Sequence, residues 1–242
     1  MDPTPEIADI KVAKCVSMMV KKHSIDPKIG PHLAQVNPVL GRFYFLPKIH
    51  KAGNPGKPII SGIGNATEKI SEYVDDLLRS YVIDLPSYIQ DSTDFIRKIN
   101  QIQNLPNNTV LATLDASMLY TNIPHEERAN ACILNYKRIQ HFLFLANFLS
   151  LQPNIPLVWF RYIDDIFIIW THGEDNLGSF LLNINSAHPI IKFTATKSTS
   201  SVDFLDTIVT IENGTLKTDL FHKPTDKNMY LLPISLSSPT LY

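Results

Sequence analysis

Apolar positions recur along the chain with two periods. Spacing of three and four residues marks helices, and dense or alternating runs rich in aromatic and β-branched residues mark strands. Pro5 suits a first helical position, and a weakly amphipathic helix is expected from there to Lys22. Residues 27 to 64 hold six of the nine glycines, interspersed with prolines, and read as loop and strand, with Arg42-Phe43-Tyr44-Phe45-Leu46 as one strand. Helical spacing returns at Ile70, Tyr73, Val74, Leu77, Leu78 and Tyr81, behind Asn65 and Glu68 placed as a capping box. A further helix is expected to begin near Asp91 or Ser92 and to bury Phe95, Ile96, Ile99 and Ile102. Val110 to Leu114 forms a strand-like run that ends at Asp115. Asn122-Ile123-Pro124 then opens a helix with Ala129, Cys132, Ile133 and Tyr136 on one face. Leu177, Phe180, Leu181 and Ile184 mark the next helix. Strands follow around Ile190 to Thr196 and Val202 to Ile211, and Asn213-Gly214 is a strong two-residue hairpin turn leading into Leu216, Thr218 and Leu220.

The densest apolar runs are Pro156-Leu157-Val158-Trp159-Phe160 and Ile166-Phe167-Ile168-Ile169-Trp170. They read as two half-buried strands, and Tyr162-Ile163-Asp164-Asp165 falls where the chain reverses between them. Adjacent carboxylates at the edge of a dry surface repel each other and are costly to desolvate unless a cation shares the site. Asp is also a common turn residue, so the doublet alone leaves a solvated, ligand-free reversal open. Asp115 changes the balance, because it ends another apolar strand. Phosphoryl and nucleotidyl transfer use pairs of metal ions about 3.5–4 Å apart, and carboxylates from neighbouring strands supply the clamp.

Composition sets limits around this chemistry. With 242 residues and 44% hydrophobic content the chain supports a real core, as one large domain or two small lobes. A net charge of −1 gives no global attraction to nucleic acid, but the distribution is uneven. From Pro27 to Thr67 there is no Asp or Glu, while Lys28, Arg42, Lys48, Lys51 and Lys57 are present. A basic lobe and an acidic hairpin together suit a polymerase; scattered surface lysines are the competing reading. Cys15 and Cys132 are too few and too isolated for a zinc site or a disulfide framework. No secretory leader is read at the N-terminus, and Phe142 to Leu149 falls short of the ~20 residues that span a bilayer. The chain is expected to be intracellular and to have no membrane segment.

Five stretches, in order, resemble reverse transcriptases of Penelope-like retroelements. Leu46-Pro47-Lys48-Ile49-His50-Lys51 runs to Lys57-Pro58-Ile59-Ile60-Ser61-Gly62. Thr113-Leu114-Asp115-Ala116-Ser117-Met118-Leu119-Tyr120-Thr121-Asn122-Ile123-Pro124-His125 is similar to that family's first catalytic motif, and Arg161-Tyr162-Ile163-Asp164-Asp165-Ile166-Phe167 to its YxDD motif. Phe204-Leu205-Asp206 and Leu220-Phe221-His222-Lys223-Pro224-Thr225-Asp226 complete the set. Together they span roughly residues 41 to 232.

The resemblance implies an α+β fold, the fingers and palm of a right-hand polymerase, whose antiparallel palm sheet carries helices packed on one face, with no counterpart of a thumb. It implies an N-terminal helical extension over 1–40, a fingers-like region over 41–109, a palm-like core over 110–232 and a tail over 233–242. The implied activity is RNA-directed DNA polymerisation by two-metal deoxynucleotidyl transfer to a primer 3′-hydroxyl. Its partners are an RNA template, a DNA primer and deoxynucleoside triphosphates, and nuclear residence follows from the family's way of life. Asp115, Asp164 and Asp165 are the implied catalytic acids. They hold two Mg²⁺ ions, with Mn²⁺ able to substitute and the carbonyl of Ala116 as a further ligand. Lys48, Lys57 and Tyr120 are the implied nucleotide-binding residues. The ring of Tyr120 lies under the incoming sugar, where it excludes a ribose 2′-hydroxyl. Lys57 stands where the family commonly has arginine, which keeps the charge but loses the bidentate fork. One feature departs from the family pattern: no glycine occurs between Gly64 and Gly173, so the family's glycine-containing segment between the two catalytic motifs has no match. The alternative implied by that gap is a catalytically inactive retroelement remnant that at most binds nucleic acid.

Overall fold

A computed structural model of the chain describes residues 5–47, 53, 56–117, 152–187 and 191–221. The protein is a mixed α+β chain with antiparallel sheets, divided into two compact units at Leu77 and Leu78. Phe95 and Ile99, placed by sequence in the fingers-like region, belong with the core of the second unit.

In the first unit, α1 (Pro5–Lys21) matches its expected bounds to within one residue. A short helix α2 (Gly30–Leu33), which apolar spacing did not reveal because it is a single turn, follows it. Val16, Ile25 and Leu33 form a small core against which Ile70 and Tyr73 pack. The strands β1 (Arg42–Pro47) and β2 (Gly56–Ser61) pair antiparallel as a two-stranded ribbon. Helix α3 (Glu68–Ile83) crosses the unit boundary. Its start is capped largely as expected: the Asn65 side chain accepts from the Thr67 amide at 3.1 Å, and Glu68 accepts from the Gly64 amide at 2.9 Å. Each bond satisfies a backbone donor near the helix start. The apolar face of α3 is only half-buried, and Leu77 on it stays exposed.

The second unit is built on a four-stranded sheet of order β4-β5-β3-β6. Its strands are β3 (Val110–Ser117), β4 (Val158–Tyr162), β5 (Asp165–Trp170) and β6 (Lys192–Ser198). All neighbours run antiparallel. The interior strands β3 and β5 have buried residues on both faces, which is why their sequences read as continuous apolar runs rather than strict alternations. Val110, Ala112, Leu114, Ile166, Ile168 and Trp170 pack with Leu177 and Phe180 of α5 (Glu174–Ser186). On the opposite face, Leu111, Phe167 and Ile169 meet Phe95 and Ile99 of α4 (Ser92–Ile99).

Helices thus cover both faces of this sheet, not one as expected. Phe95 decides this, since it is fully buried and its ring lies 5.0 Å from Phe167 and 4.7 Å from Phe204. Burial of large aromatics is worth more to the fold than leaving that face open. The helix that carries Phe95 starts as the sequence predicts, with the Asp91 carboxylate accepting from the Asp94 amide at 2.8 Å.

A three-stranded sheet, β7 (Ser201–Phe204), β8 (Thr207–Glu212) and β9 (Thr215–Leu220), adds Val202, Phe204, Val209 and Leu216 to the same core. The single strand expected over Val202 to Ile211 is in fact two. Leu205 takes φ +55°, and Leu205-Asp206 reverses the chain so that Phe204 faces Thr207. The Asn213-Gly214 turn is present as expected, with both residues at positive φ and Glu212 opposite Thr215, the pattern of a type I′ turn. The expected helix from Asn122 and the apolar run from Phe142 lie outside the described residues, as does the stretch from His222 onward.

A candidate metal-dependent active site on the central hairpin

The reversal at Tyr162-Ile163-Asp164-Asp165 is a two-residue hairpin turn: Tyr162 is opposite Asp165, and Ile163 and Asp164 form the loop. Ile163 has φ +54°, and Asp164 is not among the residues at positive φ. Positive φ at the first loop position alone is the signature of a type II′ turn, where glycine is the favoured residue. A β-branched side chain there is sterically unfavourable, so the rest of the structure must hold the turn in place.

Two sets of bonds do so. The Nε of Arg161 donates to the Ile163 carbonyl at 2.8 Å. The backbone of Arg161 is itself anchored, because its N–H donates to Ser87 and its carbonyl accepts from Ile89 at 3.0 Å. Residues 87 to 89 thereby cover part of the outer edge of β4. The sequence motif contains Arg161 but assigns it no role, and only the turn geometry shows what the side chain holds.

Pairing across the sheet brings the acids together. Asp115, the sixth residue of β3, lies directly opposite Asp165, the first residue of β5. Residues opposite each other on antiparallel strands project to the same face, with Cβ atoms about 4.5–5.5 Å apart. That face is the one carrying Leu111 and Phe167, at the end where the apolar layer gives way to solvent. Asp115 is exposed, while Asp164 and Asp165 are partly so. Among the described residues, the side chains of Asp115 and Asp164 make no hydrogen bond or ion pair. The Asp115 carbonyl accepts from the Thr194 hydroxyl at 3.4 Å.

The register partner of Asp115 is Asp165, and Asp164 sits one residue further out in the turn. Ala116 is buried, and its backbone is in the ladder opposite Phe193. Lys48 and Tyr120 lie outside the described residues. Lys57 is in β2, opposite Leu46, in the other compact unit.

The donor set has the chemistry that magnesium requires, namely hard carboxylate oxygens open to water. Among the described residues, no group of three or more His, Cys, Asp or Glu side chains is arranged to hold a metal. Magnesium does not need such a cage, because it commonly binds one or two carboxylates and takes the rest of its shell from water and substrate phosphates. Opposed carboxylates on neighbouring strands repel each other, and a divalent cation shared between them would offset that repulsion.

No protein-family model matches the chain, and no curated protein matches it either.

Proposed function

We propose that the chain carries the catalytic centre of an RNA-directed DNA polymerase of the kind its motifs resemble, with deoxynucleotidyl transfer to a primer 3′-hydroxyl as the reaction. The observation that carries this reading is the register that sets Asp115 opposite Asp165, beside a strained turn bearing Asp164. Acids on two strands far apart in sequence meet at one exposed sheet end, and the backbone departs from its preferred region at that point. Strain of this type costs on the order of 1–3 kcal/mol and concentrates at functional sites.

In this reading Asp115, Asp164 and Asp165 would hold magnesium, and the fixed hairpin would keep the carboxylates from moving as the reaction proceeds. Bound magnesium supplies Lewis-acid activation of the primer hydroxyl and neutralises charge on the triphosphate and the departing pyrophosphate. The hydrogen bond from Arg161 keeps the turn in one geometry, so that no reorganisation is required at the moment of transfer. RNA template, DNA primer and deoxynucleoside triphosphates are the proposed partners. Among the described residues, no helix is long and apolar enough to cross a membrane.

The test is metal-dependent primer extension by the purified full chain on a poly-rA template with an oligo-dT primer. Extension that requires Mg²⁺ or Mn²⁺ and falls to background in both Asp115→Asn and Asp164→Asn supports the assignment. Extension that survives either substitution removes it. A second reading, an inactive remnant that retains RNA binding, is favoured by the absence of any glycine between Gly64 and Gly173. Glycine lets backbone approach a ligand closely, and an apolar segment cannot take over such contacts. RNA binding that weakens with salt, in a chain that never extends a primer, is the outcome that selects it.

A further inference from the structure

The main chain of Asp115 is held from one side only. In an antiparallel ladder, successive residues turn their backbone N–H and C=O alternately to one neighbouring strand and to the other. Tyr162 and Asp165 close the two-residue turn, so the backbone of Asp165 bonds to β4 and is turned away from β3. Asp115, opposite Asp165, therefore directs its own N–H and C=O toward Thr194 of β6. Beyond Asp115, β3 runs on to Ser117 with β6 as its ladder partner, where its pairing with β5 has already ended. The strand that fixes the first acid is thus β6.

β6 is the last strand of its sheet, and such a strand presents unpaired N–H and C=O groups along its outer edge. One side chain takes up those groups beside the site. The amide of Asn185, in the last turn of α5, donates to the Phe193 carbonyl at 3.0 Å and accepts from the Phe193 N–H at 2.7 Å. It stands in for a neighbouring strand at that one residue. Lys192 secures the same place, with its Nζ donating to the Asn185 carbonyl at 2.5 Å. Phe193 immediately precedes Thr194, whose hydroxyl donates to the Asp115 carbonyl at 3.4 Å. Among the described residues, no side chain clamps the backbone of Ala195 or Lys197, the next outward positions, in this way. The clamp is placed at the end of β6 that carries the acid's partner.

We infer that Asn185 is a positioning residue for the proposed metal site. Its amide fixes β6 against α5, β6 fixes the main chain of Asp115, and the Asp115 carboxylate is thereby kept facing Asp165. The inference rests on the metal-dependent reading of that site. Loss of the amide leaves all three acids in place but frees the end of β3, so metal affinity falls while the ligand set is unchanged. Groups that orient metal ligands commonly alter affinity by about tenfold or more when removed.

The experiment is terbium binding to the full chain, with magnesium as competitor, read by luminescence sensitised through Tyr162, which lies opposite Asp165 and projects to the same face. Asn185→Ala should bind terbium on the order of tenfold more weakly than the unaltered chain, and Asp115→Asn should also bind it more weakly. Asn108→Ala is the control. It removes an amide bond of 2.9 Å to the Thr171 carbonyl at the opposite end of the central strands, and should lower stability in urea without changing terbium affinity. Circular dichroism checks that Asn185→Ala folds. Should it not, Asn185→Asp, which keeps an acceptor for the Phe193 amide, should fold and bind terbium with an affinity below that of the unaltered chain. Equal terbium affinity in the unaltered chain and the folded Asn185 variant, with Asp115→Asn weakened, would overturn the inference and leave the metal site standing. An equal loss in Asn108→Ala would overturn it too, by showing that any loss of stability loosens the site. Absence of terbium binding, or binding that Asp115→Asn does not weaken, would remove the metal site itself and the inference with it.

Discussion

Asp115→Asn should stabilise the metal-free protein while weakening its response to magnesium. Asp115 and Asp165 are cross-strand partners at the end of the central ladder. For two unit charges about 5 Å apart with water around them, Coulomb repulsion is about 0.8 kcal/mol. That value lies in the range of about 0.2–1 kcal/mol for cross-strand pairs. For a chain of this length, a change of 1 kcal/mol moves the melting midpoint by about 2–4 °C, so the asparagine variant should melt about 2–3 °C higher in EDTA at low salt. At 1 M salt the Debye length is about 3 Å, shorter than the separation, and the difference should nearly vanish. Magnesium should raise the midpoint of the unaltered chain in a concentration-dependent way and do much less for the variant. The measurement is a thermal melt followed by circular dichroism at both ionic strengths, with a magnesium titration. A variant that melts lower in EDTA, a gain that persists at 1 M salt, or an equal magnesium response in both proteins would refute the reasoning.

Two further outcomes follow from the same unit. Arg161→Met removes the donor to the Ile163 carbonyl and should cost about 1 kcal/mol in urea unfolding; in an Ile163→Gly background, where the turn no longer needs holding, the loss should shrink, and equal losses in both backgrounds would show that the bond does not support the turn. Burial by itself would push the Asp94 carboxyl up, but hydrogen bonds from Lys98, the Gln90 amide and Arg97, with the charge of Lys98, hold it below the usual carboxylate range. A value lower in the folded state than in the unfolded one means that ionised Asp94 contributes stability above about pH 4, and that this is lost as pH falls through the folded-state value. Asp94→Asn should therefore be less stable than the unaltered chain at pH 7, with the gap closing below about pH 4 in urea titrations; a gap independent of pH would count against the ion-pair account.

What the sequence determined by itself was local. Helix starts and faces, the Asn213-Gly214 turn and the placement of Asp164 at a reversal all come from interactions within a few residues, and periodicity and turn chemistry encode those directly. Leu205 escaped that logic, because leucine gives no signal for positive φ and only the packing of Phe204 into the core forces the turn after it. The candidate site was half legible. Its three acids stood out against apolar flanks, but their partnership depends on β3 and β5 aligning across the sheet. A register shift of one residue would replace Asp165 with another neighbour and turn Asp115 to the other face. Tertiary structure alone decided that Asp165 rather than Asp164 opposes Asp115, that Arg161 holds the turn, and that Phe95 closes the second face of the sheet. The Asp115–Asp165 and Phe95 contacts share a physical reason: each joins residues distant in the chain, and their meeting is fixed by simultaneous burial of the apolar faces of separate elements, which no short stretch of sequence specifies; the Arg161 bond spans two residues and depends on the turn geometry that this packing sets.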